Sequence, residues 1–194
     1  MKRQYFFIII LLILSLFNFS IYSQMFGQEP TERISNYDVQ HIKLEIEIDP
    51  ETKTLSGTVY TSIVPIVNSF SEFEVDAVGM TIENVWLDPK GPMIVSYDGN
   101  TKRKGYYYTD LKFSYDKKKI IVNLDKPYST KDTLHYVIKY KTTDLEKGLY
   151  FITPTPAFPN KRYEVWSQGE GEDNRYWFPC YDYPNDKATT EIMV

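Results

Sequence analysis

The residues of this chain best suited to chemistry stand in one short stretch, "SQGEGEDNRYWFPCYDYP", residues 167–184. Gln168 offers an amide donor and acceptor, and Glu170, Glu172 and Asp173 offer carboxylates. Gly169 and Gly171 bracket Glu170, so the backbone there can bend sharply or approach a ligand closely. In an extended segment, residues two apart face the same side, so Gln168, Glu170 and Glu172 would present one polar edge. Such an edge suits a small cationic group, for instance an ammonium. A carboxylate gains most from that pairing when it is partly desolvated. A solvated acidic loop is the plainer reading of the same residues. The aromatics that follow, Tyr176, Trp177, Phe178, Tyr181 and Tyr183, either wall off water or anchor the loop in the core; anchoring suits most of them.

Other chemistries find little support. Zinc wants three or four converging His, Cys or carboxylate ligands. The chain has two histidines, His41 and His135, neither of which starts an H-E-x-x-H, and it has no C-x-x-C. Each histidine falls on the polar face of an alternating segment and reads as an ordinary surface or cross-strand residue. Cys180 is the single cysteine, set between Pro179 and Tyr181, and a cysteine among aromatics is usually packed and inert. It cannot form an intrachain disulfide, so stability must come from the core. The formal net charge is −4. An acidic balance argues against nucleic acid as a partner, because that binding rests on Lys and Arg neutralising phosphates.

The first residues read as an export signal rather than as part of the fold. Lys2 and Arg3 precede a nearly continuous apolar run, Tyr5 to Phe19, and Ser23 offers a small residue for cleavage. The run is shorter than the ~20 residues that span a bilayer. The expectation is a signal peptide over 1–23, a loose lead-in over 24–36, a secreted or periplasmic location, and no membrane attachment after cleavage. No cysteine follows the run, which argues against a lipid anchor.

The elements that must position the acidic stretch are strands. In "HIKLEIEID", Ile42, Leu44, Ile46 and Ile48 alternate with His41, Lys43, Glu45 and Glu47, the period of a half-buried strand. "DPETKTLSG" is a turn, and "TVYTSIVPIV" resumes as a strand in which Pro65 suggests an edge or a bulge. "FEVDAV", "IENVWLD" and "MIVSYD" read as further short strands. "YYYTDLKFSY" and "KIIVNLD" flank the charged turn 116–119 as a hairpin. "TLHYVIKYKT" places Leu134, Tyr136, Ile138 and Tyr140 on one face. "GLYFI" and "YEVWS" are two apolar bursts before the acidic stretch, and "KATTEIMV" starts a last strand. Helical periodicity is absent after residue 30. Many short strands bounded by Gly, Pro, Asn and Asp predict an all-β fold, a twisted antiparallel β-sandwich or saddle, or else a barrel.

Several of these segments resemble the N-terminal domain of the M1 family of zinc aminopeptidases, the group of aminopeptidase N and leukotriene A4 hydrolase. "YDVQHIKLEIEIDPETKTLSGTV" (37–59) is similar to the family's first two strands, and "KGLYFI" (147–152) to its Gly-Leu-Tyr segment. "WSQGEGEDNRYWFPCYDYPNDKATTEI" (166–192) resembles its signature of Q-x-E, an Arg, F-P-C-x-D-x-P and K-A. The resemblance covers 37–194 and implies a substrate-binding domain. Glu170 would bind the free α-amino group of a peptide, and Gln168 would help line the first subsite. Arg175, Pro179, Asp182 and Pro184 fall on structural signature positions, holding the loop against the next domain. The family's H-E-x-x-H and G-x-M-E-N motifs do not occur in the sequence. The resemblance therefore implies no catalytic or metal-binding residue in this chain, no peptidase activity of the chain alone, and zinc in a missing catalytic domain. The partners implied are a peptide N-terminus and that domain. The alternative is a stand-alone secreted β-sandwich binding module, or a non-catalytic relative of the family.

Overall fold

The structure, a computed structural model, describes residues 33–88, 108–143, 145 and 147–194. The signal segment 1–23, most of the lead-in and the expected strand "MIVSYD" lie outside the described residues. From Ser35 to Val194 the described residues belong to one compact unit. They hold eleven strands and no α-helix: β1 (Tyr37–Asp49), β2 (Thr54–Pro65), β3 (Phe70–Asp76), β4 (Thr81–Leu87), β5 (Thr109–Asp110), β6 (Lys112–Tyr115), β7 (Lys119–Tyr128), β8 (Leu134–Thr142), β9 (Leu149–Ile152), β10 (Glu164–Ser167) and β11 (Thr189–Met193).

Three sheets result. The largest runs β11-β1-β2-β8-β4-β5, a second runs β3-β7-β6, and β9 and β10 form a two-stranded ribbon. The all-β expectation holds. On β8, Leu134, Tyr136, Ile138 and Tyr140 are all buried, as alternation predicts, and Val137 on the opposite face is buried as well. The two larger sheets share one core. Val59 and Ile63 of β2 and Ile138 of β8 meet Val75 of β3 and Ile120 and Val122 of β7 in one apolar cluster, each fully buried. Each such side chain stabilises the fold by roughly 1.5–3 kcal/mol relative to exposure. The Phe73 and Tyr136 rings, 4.9 Å apart, join the sheets directly. Tyr37 of β1 sets its ring edge against Phe70 and Phe73, at 6.2 and 5.7 Å.

Two turns use the same local device. Asp49 Oδ1 accepts the backbone N–H of Glu51 at 2.9 Å and of Thr52 at 3.3 Å. Asp116 Oδ1 accepts those of Lys118 and Lys119, at 2.8 and 2.7 Å. An aspartate that satisfies turn amides favours the reversal over extended backbone. Pro65 is the last residue of β2, paired with Tyr37 of β1, while pairing with β8 has already ended at Ile63. Its missing N–H therefore costs no ladder bond to β8.

Two features differ from a simple run of hairpins. The arm "YYYTDLKFSY" is divided between sheets. Thr109 and Asp110 pair with β4, whereas Lys112–Tyr115 pair with β7. Leu111 sits at the corner, buried, and donates its N–H to Val85 O at 3.0 Å. The last strand is parallel: β11 lies along β1 with His41 opposite Thr189. The register of β1 on β2 shifts between Val39 and His41, a bulge at Gln40. Gln40 O accepts the Thr189 hydroxyl at 3.1 Å, and the Val39 N–H goes to Asp186 Oδ2 at 2.9 Å. The bulge thus frees the backbone groups that dock the last strand.

Candidate functional site

The ribbon of β9 and β10 carries the acidic stretch at its open end. Ser167 pairs with Leu149, and the ladder goes one step further, with Gln168 N–H donating to Gly148 O at 2.9 Å. Gly148 has φ +80, and a Cβ there would lie 2.1 Å from Asp173 O and 2.6 Å from Trp177 Cδ1. Both conformation and space demand glycine at this crossing. Beyond Gly169 the chain turns. Asp173 N–H reaches back to Gly169 O at 3.3 Å, and Gly171 and Glu172 have φ +80 and +71. A short 3-10 helix, Asn174–Tyr176, follows.

That turn corrects one expectation. The segment is not extended past Gly169, so Glu172 does not share an edge with Gln168 and Glu170. Its carboxylate instead pairs with the Arg175 guanidinium. The polar edge contracts to two residues. Gln168 Nε2 donates to Glu170 Oε2 at 3.5 Å, and both side chains are exposed.

Behind the edge lies a dense anchor. Asp182 is buried, and its Oδ2 accepts both the Arg175 backbone N–H at 3.0 Å and Arg175 Nε–H at 3.1 Å. Arg175 Nη2 also donates to Asp182 O at 2.7 Å. Asp182 N–H donates to Asp76 Oδ2 at 3.0 Å, and Asp76 and Cys180 exchange backbone hydrogen bonds at 2.8 and 3.0 Å. Val78 N–H reaches Arg175 O at 2.8 Å. Burial works against the charge of Arg175, but Asp76, Asp182 and Glu172 overcome that and raise its pKa above the usual value. Trp177, Phe178, Pro179 and Cys180 are buried, the two rings edge to face at 4.5 Å. Arg175 and Asp182 therefore tie the loop to the end of β3 within this chain, and Pro179 is buried. Pro184 lies exposed after the anchor.

Every other carboxylate of residues 170–182 is engaged: Glu172 and Asp182 by Arg175, and Asp173 by Lys147 at 3.5 Å. Among the described residues Glu170 meets only Gln168. The loop holds one acid out to solvent while its neighbours fix the backbone.

The histidines stand elsewhere. His135 Nδ1 shares a 2.7 Å hydrogen bond with Ser62 Oγ; burial lowers its pKa, partly opposed by Asp88. His41 Nδ1 shares one of 2.7 Å with Thr189 Oγ1. Among the described residues no three His, Cys, Asp or Glu side chains are grouped to hold a metal ion, so the described residues do not fit a zinc centre.

One feature beside the edge drew no role from the sequence. Trp166 and Tyr150, cross-strand partners on β10 and β9, stack at 4.4 Å and 19°. The available signal was Trp166 standing two residues before Gln168 in a segment read as a strand.

The described residues form an all-β domain whose loop between β10 and β11 is anchored at the end of β3 and leaves Glu170 exposed. The chain belongs to the Peptidase M1 N-terminal domain family, whose model matches residues 35–194. Leucine aminopeptidase 2 of Aspergillus terreus is 27% identical over 165 residues, covering 83% of this chain and 25% of that protein. Among solved structures, the fold resembles an M1 zinc metallopeptidase from Deinococcus radiodurans bound to a Tyr-Ser-Ala substrate, with TM-score 0.57, 21% identity, and coverage of 81% of this chain and 32% of that one. It also resembles yeast leukotriene A4 hydrolase in complex with bestatin, with TM-score 0.60, 18% identity, and coverage of 87% and 26%. The chain thus spans about a quarter to a third of the length of these relatives.

Proposed function

We propose that this chain is the substrate-binding N-terminal domain of an exported zinc aminopeptidase, and that Gln168 and Glu170 form the wall that holds the α-ammonium of a peptide. The observation that carries this reading is the exception of Glu170. It is the one acid of its loop that the fold does not use, held on a backbone fixed by Arg175 and Asp182.

The reading also explains why the wall needs a partner surface. An exposed ion pair in water gains only about 0–1 kcal/mol. Glu170 becomes a strong anchor only when a second surface covers it and excludes water. The metal, the nucleophilic water and that second surface belong to a catalytic domain outside this chain. Glu170 and Gln168 contribute positioning, which fixes the peptide's first bond at the reacting centre. Residues 1–23 supply export, and the protein acts in a secreted or periplasmic compartment.

The test uses the protein encoded in full by its gene. Glu170→Gln should lower kcat/KM for peptides with a free amino terminus by about 100-fold, the scale of a lost charge-assisted contact at a covered site. N-acetylated peptides should remain poor substrates for both forms. Unchanged turnover of free-amine peptides by Glu170→Gln would overturn the assignment.

A further inference from the structure

The outer face of the ribbon continues the polar edge with an aromatic surface. On β10, Val165 packs on the core, so Trp166 faces the other way, 49% exposed. The Gln168-to-Gly148 hydrogen bond keeps the ladder in step, and strand alternation puts Gln168 on the same side as Trp166. Two residues along a strand separate them by roughly 7 Å. Tyr150, directly opposite on β9, holds the indole by stacking at 4.4 Å. The other large exposed aromatics of this region, Phe158 and Tyr163, lie in the connection at the far end of the ribbon. Among the large exposed aromatics of the described residues, Trp166 is the one that stands two residues from Gln168.

Resting on the reading of Glu170 given above, we propose that the Trp166–Tyr150 stack is a specificity shelf for an apolar, preferably aromatic, side chain at the first residue of the bound peptide. The occupant follows from charge and reach. An ammonium held between Glu170 and Gln168 places the ligand's first Cα beside Gln168. A Phe, Tyr or Leu side chain from that Cα extends along the strand to the indole face. Aromatic pairs gain most in offset-stacked or edge-to-face arrangements, and Tyr150 leaves one indole face open for either. The indole is already immobilised by Tyr150, so little side-chain freedom is lost on binding. A first residue such as Ala or Gly does not reach the shelf and draws nothing from it.

The experiment compares Trp166→Ala and Trp166→Phe in the full-length protein, with Glu170→Gln beside them. Substrates are peptides identical except for Phe or Ala at the first position. Trp166→Ala should lower kcat/KM for the Phe peptide by roughly five- to tenfold relative to the Ala peptide, mostly in KM. Trp166→Phe should restore most of that preference. An equal loss on both peptides, or no change in their ratio, would overturn the shelf and mark Trp166 as a packing surface. In those cases a large effect of Glu170→Gln leaves the amine-binding role standing. If Glu170→Gln changes nothing, the amine-binding role and the shelf both fall.

Discussion

Replacing Asp182 by Ala should destabilise the domain by about 3 kcal/mol. The magnitude follows from what the carboxylate does. Asp182 is 6% exposed and accepts two N–H groups of Arg175, one backbone and one guanidinium, at 3.0 and 3.1 Å. Hydrogen bonds to a charged acceptor are worth roughly 1.5–3 kcal/mol each, and breaking a buried pair from one side costs ~3–5 kcal/mol. Arg175 keeps Glu172 and the backbone carbonyl of residue 182, which places the loss at the lower end of that range. For a domain of this size, 1 kcal/mol moves the midpoint by about 2–4 °C, so Tm should fall by about 6–12 °C. The assay is thermal unfolding by circular dichroism at pH 7. Asp182→Asn keeps an acceptor for the Arg175 N–H and should fall by about half as much. Amide exchange at Asp173 and Gln168 should quicken in Asp182→Ala before the core strands are affected, because the anchor fixes their loop. A Tm within 2 °C of the parent, or exchange that quickens uniformly, would refute the view that Arg175 and Asp182 hold the site loop.

Two further perturbations test the supports of the same region and of the core. Gly148→Ala should cost about 3 kcal/mol in denaturant unfolding, because the new Cβ would sit 2.1 Å from a backbone oxygen at φ +80; a loss below 1 kcal/mol would show that this crossing is not tight. His135 has its pKa lowered by burial, so the folded state disfavours its proton. Its contribution is complete above the unfolded value of ~6.5 and is lost as pH falls through that value towards the folded one. Tm should therefore decline below pH 6.5 in the parent and decline less in His135→Asn, which retains a polar group for Ser62; identical pH profiles would rule His135 out as the cause.

The acidic stretch shows how far local reading reaches. That Gln168 continues the strand and lies beside Glu170 was legible, because their types and two-residue spacing follow a segment read as a strand. Glu172 was misplaced because the same spacing was extended through Gly171, where φ of +80 and +71 at Gly171 and Glu172 turns the chain. Its partner, Arg175, is only three residues away, but the pairing depends on that turn. The anchoring role of the buried aromatics and of Cys180 was readable from type alone. The bond of Cys180 to Asp76 was not, since it joins segments more than a hundred residues apart.

Among the described residues, the sequence by itself determined most of the strands, the dry face of β8 and two of the turns. Alternation and an aspartate's reach to the next amides are properties of neighbouring residues, so they are written locally. Only the tertiary structure decided which strands meet. The parallel docking of β11 on β1, the change of sheet at Leu111, and the closing of Arg175 on Asp182 each match groups whose partner the local pattern does not name. Many registers would satisfy the same alternation. The one adopted buries all the apolar faces together and leaves Glu170 and Trp166 in solvent, because nothing in this domain's core needs them.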